Sequence, residues 1–168
     1  MKVGLVGYGK MGKIRASSIN EHSDMKLIAI FDNNKNNDIP SEYISCDTFE
    51  ELLSQDIEAV FIATYVKFLS QYTIMALKTG KHVFCEKPPS MNLQEMKEII
   101  NFEKQSRKIL KYGFNHRYHD SVNLALNTIK SGELGSIINI RGVYGKSRII
   151  SFQGGWRSQR KIAGGGIL

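Results

Sequence analysis

The segment KVGLVGYGKMG, residues 2–12, contains two patterns in immediate succession. Residues 2–7 are a short apolar run ending in glycine, as a buried parallel strand does. Gly7, Gly9 and Gly12 then form a G-x-G-x-x-G turn that opens a helix predicted over 10–20. In such a turn the first glycine permits the tight bend and the second lets the backbone approach a pyrophosphate. The third lets helix and strand pack closely. The helix start offers unpaired N–H groups and a positive dipole end to phosphates. Gly7, Gly9, Lys10, Met11 and Gly12 are therefore candidate cofactor-binding residues.

A second apolar run, MKLIAIFD (25–32), ends in Asp32, 20 residues after Gly12. An acidic side chain there hydrogen-bonds the adenosine ribose of a dinucleotide. Its charge repels a 2′-phosphate, which points to NAD, while Asn33 and Lys35 nearby leave room for NADP.

The same alternation continues downstream. NNKNNDIPSEY (33–43) is polar and turn-rich, so it is expected as a loop. Thr48 and Glu51 have capping-box spacing before a short helix at 48–54, and Asn92 and Glu95 repeat it before a helix expected to bury Leu93, Met96 and Ile100. Strands are predicted at 58–64, 81–86 and 108–114, with a helix over 67–79. This β-α-β rhythm predicts a doubly wound parallel sheet of the NAD(P)-binding Rossmann kind. Its expected extent is residues 1–115.

Beyond residue 115 the pattern changes. Val122, Leu126 and Ile129 mark a helix that stops at SGELG (131–135), and SIINIRGVYGKSRI (136–149) alternates as an antiparallel strand does. Residues 116–168 are thus expected to open a second, incomplete α/β domain with a mainly antiparallel sheet.

Composition narrows the function classes. The chain has 42% hydrophobic and 10% aromatic residues, the profile of a globular protein. It contains no run of 18 apolar residues, and its N-terminus lacks a signal-peptide pattern. Cys46 and Cys85 lack metal-ligand spacing, so no metal site is expected and a reduced, cytoplasmic protein is the simplest expectation. Residues 1–100 carry 11 Lys and Arg against 13 Asp and Glu; residues 101–168 carry 12 against 3. The basic residues of the second part are scattered singly without a nucleic-acid-binding motif, so no nucleic-acid partner and no membrane partner is expected.

Cys85-Glu86-Lys87-Pro88-Pro89 falls at the carboxyl end of a predicted strand, the edge where open α/β sheets bind ligands. A lysine there can donate to a substrate hydroxyl, and burial would move it toward acid–base use. The plainer alternative is a solvated lysine before a proline turn. Cys85 gains no thiolate stabilisation beside Glu86 and is better explained by core packing. His116 and His119 are expected at a helix entry, packing or facing water.

Together, GYGKMG (7–12), AT (63–64), GKHVFCEKP (80–88), GFNHRYHD (113–120), GELG (132–135) and AGGGIL (163–168) resemble, in order, the Gfo/Idh/MocA oxidoreductases. The resemblance implies an NAD(P)-dependent enzyme that moves a hydride between nicotinamide and a hydroxyl-bearing carbon of a sugar or nucleotide sugar. It also implies a catalytic role for Lys87 at the reacting hydroxyl, a cofactor-binding contact of the same lysine with the nicotinamide region, and a place for Thr64 and Glu86 in the cofactor cleft. Arg117, Trp156 and Arg157 match segments near the cofactor or substrate. The sequence departs from the family at Tyr65, Val66 and Leu69, where relatives have Pro-Asn and then His. In relatives the glycine run continues into an Asp- and His-containing segment that supplies the acid/base partner, so the resemblance implies a C-terminally truncated chain. Two expectations follow: a dehydrogenase completed by a homo-oligomer or a complementing C-terminal chain, or a nucleotide-binding remnant without turnover.

Overall fold

The computed structural model describes residues 1–34, 38–143, 155 and 159–164. Six strands, β1 (Lys2–Val6), β2 (Lys26–Phe31), β3 (Ile44–Cys46), β4 (Ala59–Ile62), β5 (His82–Cys85) and β6 (Leu110–Tyr112), form one sheet. All pairings are parallel and the order is β3-β2-β1-β4-β5-β6. The direction of winding reverses between β1 and β4, and ligands of open α/β sheets bind at such a switch point.

Helices α1 (Lys10–Glu21), α2 (Phe49–Ser54), α3 (Val66–Lys78) and α4 (Leu93–Ser106) connect the strands. Successive strand residues point to opposite faces, and both faces are covered. Val3 and Leu5 of β1 pack with Ala16 and Ile19 of α1 and with Ile30 of β2. Val6 points the other way, into a cluster with Leu52 of α2 and Leu69, Tyr72 and Leu77 of α3. Leu5, Ile19, Ile30, Leu52 and Leu77 are at most 1% exposed, and each such side chain contributes about 1.5–3 kcal/mol by leaving water.

The expected strands and helices of the first hundred residues form, with two differences. β3 is an additional strand, three residues long and paired on one side only. It lies just past a polar, turn-rich tract and is too short to show an alternation. In α4 the buried stripe is not Leu93, Met96 and Ile100: Leu93 and Ile100 are 70% and 42% exposed. Ile99 is buried instead, with Met96 and Phe102 half-buried beside it, because α4 packs on α3 through the i, i+3 row that starts at Met96. Both capping boxes form in a shifted version: Thr48 accepts from the Glu51 amide and Asn92 from the Glu95 amide, while the Glu51 and Glu95 carboxylates accept from the amides one residue earlier, Asp47 and Met91.

The chain divides into two compact units. The first contains Met1–Gly113 and the short helix α6 (Arg160–Ala163), which packs on α3. The second begins at Phe114 with a 3-10 turn, Asn115–Tyr118, and helix α5 (Asp120–Ser131), which ends at Gly132 in the left-handed conformation, φ 79°. The strand expected at 136–149 does not appear over 136–143, and 144–149 lie outside the described residues. A strand bonds its backbone only to a neighbouring strand, and none stands beside 136–143 among the described residues.

Candidate functional site at the carboxyl edge of the sheet

Strand register builds the site. Val6 pairs with Phe31 and Ile62, Ile62 with Cys85, and Cys85 with Tyr112. The next residue of each strand therefore falls on one row: Gly7, Asp32, Ala63, Glu86 and Gly113. Backbone bonds extend the ladder into that row, from Gly7 N–H to Phe31 O (2.8 Å), Ala63 N–H to Val6 O (2.7 Å), Glu86 N–H to Ile62 O (2.9 Å) and Gly113 N–H to Cys85 O (2.9 Å). Five motifs far apart in sequence thus meet along one edge.

The three glycines of the turn have three different reasons to be glycine. Gly7 has φ +86°, and a Cβ there would lie 2.4 Å from Ala63 O. A Cβ on Gly12 would lie 1.8 Å from Gly7 O, so α1 sits directly on the turn. Gly9 has an ordinary extended backbone, φ −73°, and no described atom lies within 4 Å of where its Cβ would be. The fold accounts for Gly7 and Gly12. It does not account for Gly9, whose missing side chain opens outward at the N-cap of α1. That helix start has no side-chain cap and no acidic residue in its first turn, leaving its amides suited to an anion. Lys10 is exposed and Met11 half-buried at the start of α1.

Asp32 is half-buried beside the turn, where its Oδ2 accepts from the Tyr8 amide and its Oδ1 from the Asn34 amide at 2.7 Å. These bonds fix the carboxylate across the end of β1. Asn33 donates to the Tyr72 hydroxyl at 3.2 Å, and Lys35 lies outside the described residues. Thr64 is half-buried two residues past β4.

At the end of β5, Lys87 is exposed, so the burial that would move it toward acid–base use is not found. Its neighbour Glu86 is the one charged side chain in the buried set of described residues. Glu86 Oε1 accepts from Arg15 Nε at 2.7 Å and from Arg15 Nη2 at 2.5 Å. The guanidinium lies 5.0 Å over the Phe84 ring, which stacks on Phe61 at 4.8 Å. Cys85 is fully buried, and burial pushes its thiol up to about 12, which fits the packing role.

Sequence reasoning missed Arg15 and Gly113. Arg15 follows Gly12 by one helical turn, a spacing that places it against the strand ends, and this was the available signal. A Cβ on Gly113 would lie 3.2 Å from Glu86 Oε2. Arg117 is exposed in the 3-10 turn of the second unit, where the His116 and His119 rings stack at 4.7 Å. Trp156 and Arg157 lie outside the described residues. No group of three metal-ligating side chains occurs among the described residues.

Residues 1–114 match the family described as the oxidoreductase family with an NAD-binding Rossmann fold, Gfo/Idh/MocA. The chain belongs to the Gfo/Idh/MocA family. Among curated Gfo/Idh/MocA-like relatives, it is 29% identical over 141 residues to myo-inositol 2-dehydrogenase of Thermotoga maritima, covering 80% of this chain and 42% of that protein. It is 27% identical over 144 residues to D-glucoside 3-dehydrogenase of Escherichia coli, covering 82% and 41%. Scyllo-inositol dehydrogenase from Lactobacillus casei, solved with bound NAD(H) and scyllo-inositol, superposes with a TM-score of 0.72 at 29% identity, covering 80% of this chain and 42% of that one. The chain therefore spans less than half the length of these relatives. No described helix is long and apolar enough to cross a membrane.

Proposed function

We propose that this chain binds NAD along the carboxyl edge of its sheet and forms the cofactor-holding part of a cytoplasmic dehydrogenase acting on a hydroxyl group of a sugar or nucleotide sugar. The supporting observation is Gly9: nothing described in the protein requires a glycine there, yet a side chain would fill the cradle at the start of α1. Gly7, Gly9, Lys10, Met11 and Gly12 would hold the pyrophosphate. Asp32, fixed by two amides, would take the adenosine ribose, and its charge favours NAD over NADP. Thr64 would line the cleft beyond β4.

When bound, nicotinamide supplies the hydride acceptor or donor for the substrate carbon. Lys87 Nζ, on the same edge, donates a hydrogen bond to the reacting hydroxyl oxygen and holds it in place. The proton leaves to the Asp- and His-containing segment that the family places after the glycine run. The relatives support a polyhydroxylated ring as substrate, since those named above act on inositols and glucosides. Arg117, Trp156 and Arg157 are proposed on the substrate side.

Titration with NADH, followed through the nucleotide's own fluorescence, tests the cofactor assignment, and absence of saturable binding overturns it. NAD reduction by the 168-residue chain with inositols, glucosides and nucleotide sugars tests turnover. Binding without reduction of any of them supports the second reading, a nucleotide-binding remnant without turnover.

A further inference from the structure

Glu86 is a buried carboxylate beside the proposed catalytic lysine, and its environment is built for a charge. Side-chain exposure is 13% for Arg15 and 11% for Glu86, so the pair is only weakly screened. Three elements hold it. Arg15 of α1 grips Oε1 through two N–H groups, the Phe84 ring lies under the guanidinium, and Gly113 of the β6 end leaves room for the carboxylate. A buried ion pair is weak evidence for stability, because desolvation offsets the attraction. What such a pair does fix is geometry. Here it joins the helix that starts at the glycine turn to the strand end that carries Lys87.

We propose that Arg15 and Glu86 are a positioning pair: Glu86 acts through Arg15 to set Lys87 against the phosphate-binding end of α1, and does not itself touch the cofactor. This rests on the dinucleotide-binding assignment above and sharpens the place given to Glu86 by family resemblance. The phosphate half of the cofactor would bind at the α1 turn whether or not the pair is intact. The nicotinamide half would bind well only when the β5 end is held in register with that turn.

The test uses NADH and ADP-ribose, which lacks the nicotinamide. Both are titrated against the wild-type chain, Arg15→Met, Glu86→Gln and the double variant, with melting temperature measured alongside. Expected is a loss of NADH affinity of about tenfold in each single variant, with ADP-ribose affinity within about twofold of wild type. The double variant should lose no more than the worse single one, as coupled residues do. Arg15→Met strands a buried carboxylate; if it fails to fold, the neutral double variant carries the test with the same expected selectivity. Equal further loss from Glu86→Gln in the Arg15→Met background would show direct contact with the cofactor and overturn the proposal. So would equal weakening of both ligands, which marks a role in holding the fold alone, or a wild-type chain that binds ADP-ribose as tightly as NADH. A wild-type chain that binds neither ligand overturns the cofactor assignment itself, and the proposal falls with it.

Discussion

Ile99 and Ile138 are the same residue in regions of opposite character. Ile99 of α4 is 0% exposed, and Ile138, in the segment after α5, is 97% exposed. Residues up to Gly113 bury Val, Leu, Ile and Phe on both faces of a sheet; over 114–143 every residue except Thr128 is exposed. The sequence pattern is equally good in both regions. α5 nevertheless forms, with Asp120 in its first turn, Lys130 in its last and Gly132 closing it, while 136–143 forms no strand. A helix satisfies its backbone within itself, and a strand requires a neighbour. Amphipathic pattern determines what a segment can become; a partner surface determines whether it does.

The largest expected effect breaks the first region at its turn. Gly12→Val places a branched side chain where even a Cβ would be 1.8 Å from Gly7 O, a backbone atom that cannot swing aside. Loss of about 4 kcal/mol or more, or failure to fold, is expected in denaturant titration. Gly9→Ala separates site from scaffold. Its Cβ meets no described atom, so stability should change by less than about 0.5 kcal/mol while NADH affinity falls at least about tenfold. Equal stability loss at both positions would show that the turn is purely structural.

Next in size is Ile99→Ala, expected to cost about 2–5 kcal/mol in the same titration because it opens a cavity between α4 and α3. A loss below about 1 kcal/mol would return the buried face of α4 to Leu93 and Ile100.

These residues also show what was legible in the sequence. The parallel sheet, both capping boxes and the edge carrying Gly7, Asp32 and Lys87 follow from local signals: apolar runs, glycine spacing and side-chain caps. Ile99 did not, since α4 is apolar enough on two adjoining rows and only its packing on α3 selects one. β3 was hidden because three residues carry no period. The Arg15–Glu86 pair was hidden because it joins positions 71 apart whose contact depends on strand order. The strand expected over 136–149 does not form over 136–143, because alternation alone supplies no neighbouring strand to bond to.

A smaller effect comes from buried acids in the first region. Burial pushes the Cys85 thiol from its ordinary value of 9.0 up to about 12, and burial also raises the Tyr112 hydroxyl. A group whose folded pKa is raised holds its proton better in the folded state. Its contribution is complete below the unfolded pKa and is lost as pH rises toward the folded value. Burial raises the Cys46 thiol as well, to about 11, so stability measured by denaturant should begin to fall near pH 9, and Cys85→Val should make that fall shallower without moving its onset. An unchanged steepness in Cys85→Val would remove the Cys85 thiol from this account.

The smallest expected effect is in the second region. Ile138→Asn replaces a side chain that is already in water, with no described neighbour strand to lose, so unfolding free energy should stay within about 0.5 kcal/mol of wild type. Amide exchange makes the same contrast without mutation. Amides of β1, β4 and β5 should exchange only through global opening, while those of 136–143, which have no ladder to break, should exchange almost at once. A destabilising Ile138→Asn, or protected amides over 136–143, would mean that this segment pairs in solution, and would raise the question of whether a second copy of the chain supplies the partner. Both readouts, repeated across a range of protein concentrations, would answer that directly, because protection supplied by another copy grows with concentration and protection within one chain does not.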